Sequence, residues 1–248
     1  MTTAASPLRS CLAFALAAAL LGGCASARNP DDPFESYNRG VYSFNEQADK
    51  VVFKPLAEVY DVVVPAPAKT AVGNVFSNLG DPWIGANNAL QGKAGDALSD
   101  MMRFMVNSSF GIFGLLDIAT PMGLPKHDED LGQTLGAWGV GEGAYFMLPL
   151  LGPRTVRDTV ALPADLAASS LLQADDIATR NTLRVLDITH TRWRLLGADQ
   201  TLKEAALDKY AYLRDFYLEQ RRYKVSDGKT ERTYEDFDAE PANPVPTR

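Results

Sequence analysis

Gly139, Gly141 and Ala144, in the stretch GVGEGAYFMLPLLGPRTVRD from Gly139 to Asp158, stand at the spacing of a loose G-x-G-x-x-A. Such glycines let backbone amides approach a pyrophosphate, but a dinucleotide site needs a strand before the loop and a helix starting at its third position. Pro149 and Pro153 follow too closely for a regular crossover helix, because proline lacks the amide proton and clashes with the preceding turn. Nucleophilic hydrolysis would need an activated Ser or Cys beside a base. No G-x-S-x-G occurs, and the only histidines are His127 and His190. His127 stands in KHDED, where a solvated loop is the simpler reading, since consecutive acids converge poorly on one metal ion. His190 falls in a helical stretch and fits a satisfied, partly buried position. These residues point away from an enzyme, a metal and an organic cofactor.

The elements that position them are mostly helices. From Lys93, Ala94, Ala97, Leu98, Met101, Met102 and Met105 share one helical face, with Asp100 and Arg103 on the other. Thr201 and Glu204 have capping-box spacing, followed by a stripe of Leu202, Ala206, Tyr210, Leu213 and Tyr217. Arg180 to Gly197 predicts a helix ending at the glycine, and Glu35 to Phe53 predicts one despite Gly40. Only VYDVVV, Val59 to Val64, has a strand-like composition. The fold class is all-α, in a single domain.

The chain of 248 residues is 46% hydrophobic and 22% charged, with net charge −7. An acidic balance argues against nucleic acid as a partner. Residues 1–23 read as a signal peptide: one cation, Arg9, then an apolar run too short to span a bilayer. LGGC, Leu21 to Cys24, resembles the lipobox of bacterial lipoproteins, making Cys24 the lipidated N-terminus; a plain signal-peptidase site beside a chance cysteine is the alternative. Several acyl chains anchor a protein far better than one, and Ala25 in place of Asp is the choice that usually permits export to the outer membrane. Residues 24–33 then form a lipidated tether, 34–225 the helical domain, and 226–248 a charged, Pro-rich tail of disordered composition.

Two segments are unusually apolar: Phe104 to Leu116, which carries no charge, and Leu131 to Pro153, which carries only Glu142. A protein core accounts for most of these side chains. A body that sinks partway into one leaflet is the functional alternative.

Asp32 to Asp49, Asn78 to Leu98, Arg103 to Ala119 and Leu131 to Asp158 resemble, in order, the signature blocks of the MlaA/VacJ lipoprotein family, and Leu207 to Tyr223 is similar to its C-terminal helix. The likeness spans nearly all of the mature chain. It departs at Ser36, where the family often has Pro, and at Leu131–Gly132, where it often has Phe-Gly. The resemblance implies a helical ring in the inner leaflet of the outer membrane, with an amphipathic channel. It implies a non-enzymatic protein that removes misplaced phospholipid from the outer leaflet, passes it to a soluble periplasmic carrier, and associates with a trimeric porin. A non-transporting lipoprotein that tethers or stabilises porins is the alternative.

Amides bind a head group without capturing it as a full charge would. Channel candidates on the matched blocks are therefore Asn38, Asn45, Asn87, Asn88, Gln91 and Asn107, for each of which helix capping or a core hydrogen bond is the plainer role. Arg39 and Arg154 could meet a lipid phosphate, although Arg39 could equally pair with Glu35. Tyr145 suits an interface, with its apolar ring and polar tip. Phe146, Met147, Leu148, Leu150 and Leu151 are candidates to face the leaflet or a channel wall.

Overall fold

The computed structural model describes residues 32–169, 175–199 and 207–229. The leader, Cys24, the Thr201–Glu204 capping box and the tail beyond residue 229 lie outside the described residues. Helix α1 (Glu35–Ala48) runs through a π-helical turn (Asp49–Phe53) into α2 (Lys54–Val63). Then come α3 (Ala66–Leu90), α4 (Ala94–Ser109), α5 (Leu131–Ala137), strands β1 (Tyr145–Leu148) and β2 (Gly152–Thr155), α6 (Val156–Ala168), α7 (Ile177–Arg194) and α8 (Lys209–Val225).

Local chemistry sets most of these boundaries. Val64 is extended before Pro65, which disfavours helix at the preceding residue, and Pro65 leads into α3. Asp130, Thr155, Asp176 and Asp208 each accept hydrogen bonds from first-turn amides that lack an intrahelical partner, at the starts of α5, α6, α7 and α8.

Of VYDVVV, Val59 to Val63 are helical and only Val64 is extended. α2 continues directly from a formed helix, so nucleation is already achieved. Its Ala57 and Tyr60, three apart, are buried, and α2 packs on α7. The opposite departure occurs at Tyr145 to Leu148, which pairs with Thr155 to Gly152 in an antiparallel hairpin. Leu150 and Gly152 turn it with positive φ. A short apolar run broken by prolines carries no clear period, so sequence pattern alone does not reveal this strand.

A two-stranded sheet leaves each strand an open edge. Here α1 covers that of β1 with two asparagines seven residues apart. Asn38 donates to the Tyr145 carbonyl (3.2 Å) and accepts from the Met147 amide (2.8 Å). Asn45 donates to the Leu148 carbonyl (3.0 Å) and accepts from the Leu150 amide (2.7 Å). Behind the hairpin, Tyr145, Met147, Tyr210 and Leu218 form the apolar core, with Val41, Tyr42, Leu213 and Tyr217 against it.

Candidate functional site

Helix α4 shows how the molecule distributes its polarity. Asp100, Arg103 and Asn107 fall on one face and are buried, while Leu98, Met101, Met102 and Met105 point outward and are exposed. The polar face is the inner one, reversing the usual arrangement of an amphipathic helix in water. Asp and Arg are almost never fully buried unless paired, and the interior here is built from such pairs.

Among the described residues, three knots of polar side chains occupy much of this interior. Between α3 and α4, the Asn88 amide donates to Asp100 (2.8 Å), whose other oxygen meets His127 Nδ1 (2.8 Å). Asp81, fully buried, is bound by Lys126, and burial, opposed by Lys126 and Arg103, raises its carboxyl above the usual value. Its second oxygen lies 3.8 Å from Arg103 Nε, and neither atom has a hydrogen-bond partner. The Arg103 guanidinium instead donates to the Leu124 carbonyl (2.5 Å), Thr120 (3.1 Å) and Asp117 (3.2 Å). Here Gly111 is obligatory, because a Cβ would lie 2.2 Å from the Leu116 carbonyl oxygen.

The second knot joins α5, α6 and α8. Arg221 bridges Asp130 (2.5 Å) and Asp158 (2.8 Å). Asp158 also accepts from Tyr217 (2.7 Å) and Arg157 (3.1 Å). Burial alone would raise the Asp158 carboxyl; Arg221, Tyr217 and Arg157 together hold it below its usual value. Gly132 makes room for the knot, since a Cβ there would sit 2.4 Å from the Arg221 guanidinium and 2.5 Å from Asp158. In the third knot, buried Asp32 accepts from Asn38 (2.8 Å), Tyr210 and Arg214 (3.3 Å).

The outer surface is apolar over long stretches. Besides the α4 face, Phe110, Ile112, Phe113, Leu115 and Leu116 project from the following loop. Val51, Leu56, Val59, Val62 and Val63 are exposed along α2 and its approach, where Pro55, Glu58, Val59, Val62 and Val63 line a shallow groove. Single exposed apolar residues are ordinary, but contiguous stretches mark a partner or a membrane. Core packing therefore does not account for most of Phe104 to Leu116.

The sequence candidates divide accordingly. Asn38, Asn87, Asn88 and Asn107 are buried with their amides spent inside the protein, so in this structure they offer nothing to a head group. Asn87 Oδ1 accepts from Thr134 (2.8 Å), and Asn107 Oδ1 accepts from the amides of Ile118 and Ala119. Asn45 and Gln91 are half-buried, Asn45 on the hairpin and Gln91 on Glu129 (2.8 Å) and Thr134 (3.1 Å).

Tyr145 is 0% exposed, a core ring and not an interface residue, with no partner for its hydroxyl. The five leaflet candidates split by strand alternation. Met147 is 1% exposed and belongs to the core, which corrects its assignment. Phe146 and Leu148 are half-buried, and Leu150 and Leu151 at the hairpin tip are 57% and 51% exposed.

Arg39 pairs with Glu35 (2.7 Å) and with Asp208 (2.6 Å), and the same guanidinium holds the Asp208 carboxyl at about 2. The Arg154 side chain forms no hydrogen bond or ion pair among the described residues. His190 meets Tyr60 (3.1 Å), while His127 is tied to Asp100 and is not a free loop residue. Asp81, Asp130, Asp158 and Arg221 were not candidates, because a charge on an amphipathic helix reads as solvated until tertiary contacts show it facing inward.

The MlaA lipoprotein family profile matches residues 30–224. The intermembrane phospholipid transport system lipoprotein MlaA of Escherichia coli (strain K12) is 32% identical over 228 residues, covering 88% of this chain and 89% of that protein. The protein of the same description from Haemophilus influenzae is 27% identical over 227 residues, covering 86% and 89%. A solved structure described as "Structural basis for maintenance of bacterial outer membrane lipid asymmetry" is similar with a TM-score of 0.69 at 30% identity, over 78% of this chain and 98% of that one.

Proposed function

The chain belongs to the MlaA lipoprotein family, and from that premise we propose that it moves phospholipid. Anchored through Cys24, it sits in the periplasmic leaflet of the outer membrane and extracts misplaced phospholipid from the outer leaflet through an amphipathic channel. A soluble periplasmic carrier receives the lipid, and a trimeric porin holds the protein at its place of work.

The observation that carries this reading is the inverted polarity of α4: Asp100, Arg103 and Asn107 inward, Leu98, Met101, Met102 and Met105 outward. A polar group in hydrocarbon without a partner costs several kcal/mol, so a lipid head group crosses only beside polar side chains. An apolar exterior around a polar interior is the division of surface such a body needs. No described helix is long and apolar enough to cross a membrane.

Deletion of the gene tests the reading. Phospholipid then accumulates in the outer leaflet, and cells become sensitive to detergent with chelator. Unchanged outer-leaflet phospholipid in a clean deletion refutes it. Purification without porin separates transport from porin tethering: a transporter carries phospholipid with it, and a tether does not.

A further inference from the structure

Among the described residues most buried charges have carboxylate or cation partners, and Arg154 is one whose side chain has none. In the knot of α5, α6 and α8, Arg157 and Arg221 answer Asp158 and Asp130. Arg154 stands beside this knot in the chain, next to the Thr155 cap of α6. Among the described residues the Arg154 side chain meets no carboxylate. Its Nε is shielded from solvent with no acceptor, while the residue as a whole is only half-buried, so its outer nitrogens can still be reached. A shielded guanidinium N–H calls for an acceptor, and oxyanions suit its forked geometry.

The hairpin shows where the acceptor comes from. Arg154 lies across from Phe146 in β2, and Phe146 packs against Phe34 (5.2 Å) and Tyr37 (5.3 Å). Three residues back is Leu151, which with Leu150 forms the exposed apolar tip. At a strand rise of about 3.3 Å per residue, Arg154 stands about 10 Å behind that tip. Apolar groups of interfacial proteins sink about 5–10 Å past the head-group boundary, so an immersed tip sets Arg154 level with lipid phosphates.

We propose that Arg154 is the phosphate receptor of the lipid-handling site, taking the phosphodiester of a glycerophospholipid whose acyl chains lie along the apolar hairpin tip. The assignment rests on the phospholipid-handling reading and names the residue that holds the charged part of the cargo. Arg39 is excluded from this role by its two carboxylates.

The test uses the full lipoprotein in detergent, loaded from phosphatidylglycerol vesicles, with bound lipid measured as phosphorus per protein. Arg154→Gln weakens phospholipid binding about ten- to a hundredfold, the scale of one lost hydrogen bond between charged groups. Arg154→Lys retains part of the binding, because charge survives without the fork. Both variants melt with the wild type, since the guanidinium has no internal partner to lose, and Arg39→Gln binds lipid as the wild type does. Diacylglycerol, which lacks the phosphate, binds wild type and Arg154→Gln alike. Wild-type lipid loading in Arg154→Gln overturns the assignment and leaves the transport reading standing. A wild type that takes up no phospholipid overturns both. Inorganic phosphate binding that needs Arg154, alongside phospholipid binding that does not, marks a free-anion site and also overturns it.

Discussion

Replacing Phe113 with glycine should move folding stability and membrane affinity in different directions. Ile112 and Phe113 have φ of 54° and 57°, two consecutive non-glycine residues in the left-handed region. That conformation costs about 1–2 kcal/mol per L-residue, and glycine adopts it freely, at the expense of about 0.5–1 kcal/mol of extra entropy lost on folding. Phe113→Gly therefore leaves the fold unchanged or up to about 1.5 kcal/mol more stable. The backbone bonds of the loop, from the Phe113 amide to the Ser108 carbonyl (3.2 Å) and from Gly114 to Asn107 (2.9 Å), need no side chain.

Phe113 is 84% exposed, and full transfer of such a side chain out of water is worth about 1.5–3 kcal/mol. If that surface meets acyl chains, its loss weakens membrane partition by roughly 1.3–2.5 kcal/mol, about ten- to sixtyfold. The assay is vesicle flotation of a Cys24→Ser background, which removes any acyl anchor, beside urea unfolding in detergent of the same proteins. Unchanged flotation would show that the apolar loop does not meet lipid. A stability loss above about 1 kcal/mol would show that Phe113 packs inside the protein and that the inverted-polarity argument fails there.

Asn38→Ala strands the Tyr145 carbonyl, the Met147 amide and one bond of Asp32 inside the protein, so urea unfolding should show a loss of about 3–5 kcal/mol. Asn45→Ala, at the exposed end of the same hairpin, should cost only about 1 kcal/mol, and equal losses at the two sites would contradict the clamp. Arg221→Met leaves Asp130 and Asp158 without their shared cation, a loss of about 3–5 kcal/mol near pH 7 in thermal or urea melts. Both carboxyls are held below their usual value in the native protein. Their contribution is therefore present above the ordinary carboxylate range and fades as pH falls through the lowered folded values. Without Arg221, burial raises both, protonation relieves the variant, and its deficit should shrink between pH 7 and pH 4; a constant deficit would rule out charge as the cause. Gly132→Ala drives a methyl group into Arg221 and Asp158 and should cost about 1–3 kcal/mol on urea unfolding, with a smaller cost remaining in the Arg221→Met background, where the guanidinium is gone but Asp158 still obstructs.

Much of this protein is written locally. Helix periods, proline stops and the signature blocks need only neighbouring residues, and the acidic caps at Asp130, Asp176 and Asp208 act within their own first turn. The period of α4 likewise establishes two faces from Ala94 to Met105. It does not establish which face is the inner one, because amphipathicity has the same spacing whether the outer solvent is water or lipid. That choice was made by partners distant in sequence: Lys126 on Asp81, Arg221 on Asp130 and Asp158, Asp117 on Arg103. The same holds for the asparagines. Their type suggested polar contacts, but only the packing of α1 on the hairpin shows Asn38 satisfying a strand edge. Tertiary structure also separated two arginines: sequence offered Arg39 a partner in Glu35 and left Arg154 without one in view. Arg39 meets carboxylates at 2.7 Å and 2.6 Å, whereas Arg154 meets none among the described residues, because an ion pair depends on what the rest of the chain brings within reach.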